Sequence, residues 1–387
     1  MRHKVYGDTL TIFLEGRIDA NNAHEFESEI NGLLDELSPT CVLLDASSLN
    51  FLSSAGIRIV MRLLRRCGDV RIVNAPPEVY SVLDTTGVTE IMPVSKMLRN
   101  QSVDGLKQIG AGAFGRVYRL DAERVIKVYA PEVNPLPKIE RERISARQAF
   151  VHGIPSAIPF EVVRVGREHG IIYELVDART LGEAVTAEPS RTDEYATRMA
   201  DLLLQLHNTH FEPNALPDAR DIFHGWVDVA ERSSLYAPRT IELLHRFVDD
   251  FGPADTFVHG DFHPANIMVM PDNELLLIDM GDSSMGSPDI DLAGTFHVLR
   301  IAARRPGGAE RLTGMSEQAL DQLWETFVCH YFGVKNADEI TSIERRLKVC
   351  ALPRTMGSTA RSKLIDDDTR RHQAAELERE FLAVVER

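Results

Sequence analysis

The chain has 387 residues, room for two or three domains, with 44% hydrophobic and 26% charged residues. Its net charge of −15 disfavours a nucleic acid partner, because phosphate binding needs a basic surface. No stretch approaches the roughly 18 consecutive apolar residues that cross a membrane, the N-terminus lacks a signal-peptide layout, and Cys41, Cys67, Cys329 and Cys350 form no C-x-x-C pair. A cytoplasmic protein without disulfides, zinc or a membrane partner is expected.

In chain order, Thr9–Leu14 reads as a strand closed by Glu15-Gly16. Ala23, Phe26, Ile30, Leu33, Leu34 and Leu37 recur at helical spacing, so an amphipathic helix is expected over Asn21–Leu37. Cys41–Asp45 is a short apolar run with the character of a buried strand. Ser53-Ser54-Ala55-Gly56 leads into a second helix, Val70–Val73 is a further strand, and Pro76-Pro77 opens a third helix ending near Gly87. Alternating strands and helices imply an α/β layer. Ser95–Gly105 is polar and aperiodic, the best candidate for a boundary.

Three segments, Leu14–Asp19, Leu43–Asp45 and Phe51–Ile57, resemble the STAS domain of bacterial anti-sigma-factor antagonists. That resemblance implies a serine at the start of the helix that a partner kinase phosphorylates, and a protein partner for the domain. Aligning Phe51 and Gly56 with the family pattern puts Ser54 at the acceptor position. The preceding residue is Ser53, where the family often has aspartate. A phosphate there would meet free backbone N–H groups and the positive end of the helix dipole. The plainer alternative is that Ser53 or Ser54 caps the helix.

Downstream, Ile109–Val117 matches G-x-G-x-x-G-x-V. A dinucleotide-binding turn has the same glycines but enters a helix directly. Here the chain continues as a strand, turns at Asp121-Ala122 and returns through Val125-Ile126-Lys127-Val128, a hairpin carrying a lysine. Gly110, Gly112 and Gly115, with Val117, would let backbone N–H groups approach phosphates, and Lys127 would place a point charge on them. The lysine needs a carboxylate partner. Glu142, on a helix expected over Ile139–Phe150, is chosen, with Glu140 as the alternative.

The strongest signal is Val258-His-Gly-Asp-Phe-His-Pro-Ala-Asn-Ile-Met268. Asp261 and Asn266 keep the D-x-x-x-x-N spacing of kinase catalytic loops, with Asp261 for the acceptor hydroxyl and Asn266 for magnesium. Leu275–Ile278 reads as a buried strand delivering Asp279-Met280-Gly281, and magnesium prefers the hard oxygens that Asn266 and Asp279 supply. Ile171–Val176 precedes a turn in the manner of the strand and hinge where kinases hold adenine, making Glu174 and Val176 candidates by position.

His-Gly-Asp-Phe-His-Pro-Ala-Asn and Gly286–Ala293 resemble the aminoglycoside phosphotransferase and choline kinase group. The combined resemblances imply an α/β N-terminal STAS domain over 1–97, a linker over 98–104, and an α+β bilobal protein-kinase-like domain. Its small β-rich lobe covers 105–178 and its larger, mostly helical lobe 179–387. They also imply an ATP- and Mg2+-dependent phosphotransferase. Asp282 matches an often acidic position that could assist the metal, and Asp291 is expected to anchor the helix beginning near Leu292. His259 is expected to bond loop backbone. His207, Trp226, Trp324, Phe327 and Tyr331 read as core or pocket wall, and Asp366–Asp368 as a solvated loop.

Three functions follow as alternatives. The chain phosphorylates a hydroxyl-bearing small molecule under a regulatory STAS domain; or it is a protein kinase acting on Ser54 of its own or a partner's STAS domain; or it is a non-catalytic pseudokinase scaffold. Retention of Lys127, Asp261, Asn266 and Asp279 argues against the third.

Overall fold

The computed structural model describes residues 1–112, 115–130, 134–362 and 365–385, which divide into two units, 1–101 and 102–387. The N-terminal unit is built on β1 (His3–Tyr6), β2 (Thr9–Ile18), α1 (Ala23–Leu37), β3 (Cys41–Leu52), α2 (Ser54–Cys67), β4 (Val70–Ala75), α3 (Pro77–Thr85) and β5 (Val94–Lys96). The sheet order is β1-β2-β3-β4-β5. β1 and β2 are antiparallel, and the remaining pairs are parallel. Along β3, Val42, Leu44 and Ala46 are fully buried while the residues between them are partly covered, the period-two pattern of a pleated strand. Ile30 and Leu34 of α1 and Val60 and Leu63 of α2 join the same core, each large aliphatic side chain contributing on the order of 1.5–3 kcal/mol.

Two strands run further than their sequence suggests. β2 continues past Glu15-Gly16 to Ile18, paired with β3 through Ile18↔Leu52, with register shifts on either side of Glu15 and Gly16. Gly16 has φ +67°. The Glu-Gly pair therefore forms a bulge within the strand and does not end it, since glycine adopts that backbone without a Cβ penalty. β3 likewise passes Asp45 and reaches Leu52, because its second half pairs with the continued β2. Ser95 and Lys96, read as the start of a polar connection, belong to β5, with Lys96 paired to Ala75.

The second unit opens with an antiparallel sheet of β6 (Gln108–Gly112), β7 (Gly115–Arg119), β8 (Arg124–Tyr129), β9 (Pro159–Val165) and β10 (Glu168–Glu174), in the order β9-β10-β8-β7-β6. Ile126, Val128, Val163, Val165 and Ile172 make its core. Helix α4 (Leu136–Val151) interrupts the strands. A helical lobe follows, which includes α5 (Thr192–His207), α6 (Arg220–Ser233), β11 (Ile267–Val269), β12 (Leu275–Leu277), α7 (Pro288–Phe296), α8 (Glu317–Phe332), α9 (Leu352–Arg361) and α10 (Asp367–Val385). Trp324 and Phe327 of α8 are buried. The Asp366–Asp368 run is a helix start and not a loop: Asp366 accepts the Thr369 N–H at 2.8 Å and α10 begins at Asp367, as expected of an acidic cap.

Candidate active site

The β11–β12 hairpin brings together residues that are distant along the chain. Ile267 pairs with Leu277, and the Ile278 N–H donates to the Asn266 carbonyl at 3.0 Å. Asn266 at the end of one loop and Asp279 after the returning strand are thereby neighbours. Asp279 has φ +61°, a left-handed backbone uncommon for a residue with a Cβ, though less so for aspartate.

Lys127 extends from β8. Its Nζ lies 2.9 Å from Glu142 Oε1 and 2.7 Å from Asp279 Oδ1. Burial alone would push the ammonium down, but the two carboxylates outweigh it and raise its pKa. Glu142, on α4, is 5% exposed. Its Oε1 also accepts the Tyr129 hydroxyl at 2.6 Å and the Tyr173 hydroxyl at 3.0 Å. Burial, together with the neighbouring charge, pushes both phenols well up, so they stay protonated donors. A buried carboxylate needs such partners.

The loop before β11 is held from beneath by Asp291, which is fully buried. Its carboxylate accepts the His259 and Gly260 N–H groups, each at 2.8 Å, and faces His207 Nε2 at 3.4 Å. Asp291 thus anchors the loop, while the helix it sits in, α7, starts at Pro288 under a Ser287 cap. His259 Nδ1 accepts the Asp261 N–H at 3.2 Å and Nε2 faces the Ile278 carbonyl at 3.2 Å, tying the loop to the residue before Asp279. Gly260 has φ +81°, and a Cβ there would lie 2.6 Å from the Asp282 carbonyl. Both facts require glycine between His259 and Asp261.

Asp261 is clamped. Arg354 Nη2 donates to its Oδ1 at 2.6 Å, and Arg354 Nη1 to the Gly260 carbonyl at 3.0 Å. Asn266 Nδ2 donates to the Asp261 carbonyl at 2.9 Å and to its Oδ2 at 3.2 Å. His263 Nε2 is 3.4 Å from the same carboxylate. Burial would raise the Asp261 pKa, but the charges of His263 and Arg354 overcome it and hold the carboxyl well below the usual range. Asp282 moves the other way, raised by burial and by Asp261. Lys127, Lys138, Glu142, Asp261, Asp279 and Asp282 line one cleft.

The remaining candidates fall at the edges. Gly112 pairs with Gly115 and Gly110 with Val117 in the β6–β7 hairpin, while residues 113 and 114 of the glycine motif lie outside the described residues. A Cβ on Gly115 would sit 2.2 Å from the Val128 carbonyl, so this glycine is also needed for strand packing. Val117 pairs with Lys127 across the sheet. Glu174 is engaged by both its N–H and its side chain with Ile158, and the Val176 carbonyl accepts the Ala178 N–H. In the N-terminal unit, the Ser53 hydroxyl caps α2, accepting from Ala55 and Gly56 N–H. Ser54 is the first helical residue and is exposed.

Residues 105–326 match the model of the phosphotransferase enzyme family, APH. The chain belongs to that family. Residues 1–100 match the STAS domain, so the mixed α/β sheet is a STAS domain and the second unit is an APH kinase-like fold with a β-sheet lobe and a helical lobe. Over 86 residues the chain is 29% identical to a candidate anti-sigma factor antagonist, BtrV, of Bordetella bronchiseptica, covering 21% of this chain and 73% of that protein. Among solved structures, aminoglycoside phosphotransferase APH(3'')-Id from Streptomyces rimosus is 20% identical, with 65% of this chain and 93% of that one covered and a TM-score of 0.44. ADP-bound APH(2'')-Ib is 16% identical, with 78% and 96% covered and a TM-score of 0.44. A thermostable mutant of APH(4)-Ia is 14% identical, with 73% and 94% covered and a TM-score of 0.49.

Sequence reasoning missed Arg354, which sits 93 residues beyond Asp261 in Cys350-Ala-Leu-Pro-Arg354, a stretch with no motif. It also missed Tyr129 and Tyr173. The only available signal for these was an aromatic on each of two neighbouring strands, which ordinarily means core.

Proposed function

We propose that the APH unit transfers the γ-phosphoryl group of ATP to a hydroxyl of a small molecule, with the STAS domain as a regulatory module. The observation that carries this reading is the convergence of Lys127, Glu142, Asp279 and Asp261 on one cleft, with Asn266 bonded to Asp261 beside it. Lys127, steadied by Glu142, supplies a fixed positive charge for the α- and β-phosphates. Gly110, Gly112, Gly115 and Val117 offer backbone beside it, and the adenine lies by Glu174 and Val176. The donor set fits magnesium. Asp279 offers a carboxylate, and Asn266, whose amide nitrogen is committed to Asp261, has its carbonyl oxygen left to give. Bound magnesium would neutralise charge building on the phosphate oxygens.

Asp261 stays ionised, because Arg354 and His263 hold its pKa down. It accepts a hydrogen bond from the acceptor hydroxyl and aims the oxygen at phosphorus. The bond from the γ-phosphorus to its bridging oxygen breaks, leaving ADP. A bond to the acceptor oxygen forms, and the hydroxyl proton passes by way of Asp261 to solvent or product. Asp261→Asn should cut Mg-ATP turnover about 10²- to 10⁴-fold, measured as ADP release, with nucleotide affinity little changed. Unaltered turnover would remove Asp261 from the reaction.

A second reading is favoured by one observation: Ser53 already caps α2, so the exposed Ser54 hydroxyl is left to accept a phosphate at a helix N-terminus. The acceptor is then a STAS serine, in this chain or a partner. Intact-mass spectrometry after Mg-ATP incubation of wild type, Ser54→Ala and Asp261→Asn separates the readings. A single added phosphate that either substitution abolishes supports the protein-kinase reading, and an unchanged mass leaves the small-molecule reading.

A further inference from the structure

Beyond the clamp on Asp261, α9 carries Arg354, Ser358 and Arg361 at positions i, i+4 and i+7, one stripe along the helix. Two turns separate the first from the last, roughly 10 Å along the axis. At the far end lies a cleft of about 200 Å³ lined by Arg305, Arg311, Leu312, Ser358 and Arg361, with no carboxylate in its wall among the described residues. This is unexpected in a chain of net charge −15. Arginines nearby are neutralised: Arg300 and Arg304 both bind Asp321, Arg346 binds Asp289 and Arg354 binds Asp261.

The three cleft arginines differ. Arg305 donates to the Thr359 hydroxyl at 3.3 Å. Arg361 lies over the Trp226 ring at 4.7 Å, on the same indole that Arg354 approaches at 5.7 Å. Among the described residues, none of the three forms an ion pair with a carboxylate. Burial and the like charge of Arg311 both push the Arg305 guanidinium down. Like charges gathered without counter-charge cost stability, and the arrangement becomes favourable when an anion enters. A guanidinium presents planar, directed donors that match phosphate oxygens.

We propose that this cleft holds a phosphate group on the acceptor, so that the molecule phosphorylated at Asp261 is itself an anionic hydroxy compound, such as a phosphate monoester. The substrate class rests on the phosphotransferase reading; the anion site does not. The stripe on α9 gives the spacing, with the reacting hydroxyl at the Arg354 end and the phosphate roughly two helical turns away at Arg361. The same charge disfavours an ammonium group at this cleft, because three guanidinium groups repel it at close range.

The test is calorimetric titration of the full chain with inorganic phosphate, without nucleotide, for wild type and for Arg305→Gln, Arg311→Gln and Arg361→Gln. Arg311 and Arg361 are exposed, so their variants should fold even if the Arg305 variant does not. Phosphate held by Lys127 would be indifferent to all three changes. Each of the Arg311 and Arg361 variants is expected to lose about tenfold in affinity, the equivalent of about one charge-assisted hydrogen bond. Wild-type affinity in both would overturn the proposal. Arginine-dependent phosphate binding in a protein that turns over no Mg-ATP would overturn the phosphotransferase reading and keep the anion site. Turnover with arginine-independent phosphate binding would do the reverse.

Discussion

The two units bury different things. In residues 1–101 the core is wholly apolar, a sheet and its helices closed by leucine, isoleucine and valine, and among the described residues no polar or charged side chain is buried there. In residues 102–387, Glu142, His207, His259, Asp291, His297 and Arg354 are all buried. A buried charge costs several kcal/mol unless it is paired and hydrogen-bonded, and here each ionised group is met by partners on other elements. The STAS unit needs only a stable platform, because its candidate functional group, Ser54, is on the surface. The APH unit holds ionised groups in fixed positions around one cleft, where charges act more strongly than in bulk water. The interior of one unit is closed by apolar packing; that of the other also depends on polar networks.

The sharpest way to break this contrast is to remove a network centre. Asp291→Ala leaves the His259 and Gly260 N–H groups without their acceptor. It should destabilise the APH unit by about 3 kcal/mol or more in denaturant unfolding while leaving the STAS transition in place. Arg354→Met keeps the bulk and removes the charge. Asp261 then loses one of the two charges that hold its pKa down. The acid limb of the pH–rate profile should move to higher pH, a change that a purely structural role for Arg354 would not produce.

A gentler probe is pH. Burial, with Arg354 and Arg305 nearby, holds the His297 pKa well below its ordinary value. The folded state keeps this ring neutral while the unfolded chain takes up a proton below about pH 6.5. The unfolded state therefore binds more protons in that range, and stability falls as pH falls. Between pH 6.5 and 5 the APH unit should lose on the order of 1.4 kcal/mol per pH unit from this group, and His297→Gln should flatten the slope. The STAS unit, with no buried histidine among its described residues, should show no such contribution. The smallest effect belongs to the cap. Ser53→Ala should cost the STAS unit about 1 kcal/mol, whereas Ser54→Ala, with no cap bond to lose, should be nearly neutral.

Legibility in the sequence followed the distance over which each feature is decided. The helices of the STAS unit were readable because apolar spacing is local, but the extension of β2 past Glu15-Gly16 was not: a Glu-Gly pair looks the same whether it ends a strand or bulges within one, and only the facing β3 decides. Asp261, Asn266 and Asp279 were readable because short loops fix their relative positions, Asn266 lying five positions after Asp261 and one hairpin joining it to Asp279; Lys127, 152 positions from Asp279, was readable from its own glycine hairpin.

What the sequence determined by itself was the set of groups and their order: a glycine hairpin with a lysine, a loop with an aspartate and an asparagine, and a strand delivering a second aspartate. What only the tertiary structure decided was their electrostatic setting. Arg354 reaches Asp261 across 93 residues, and Asp291 supports its loop across 31 and 32 residues. The three cleft arginines converge from two segments, around 305–311 and at 361. Such contacts leave no periodicity or spacing in the chain, because they are made by surfaces that meet only after the helices have packed.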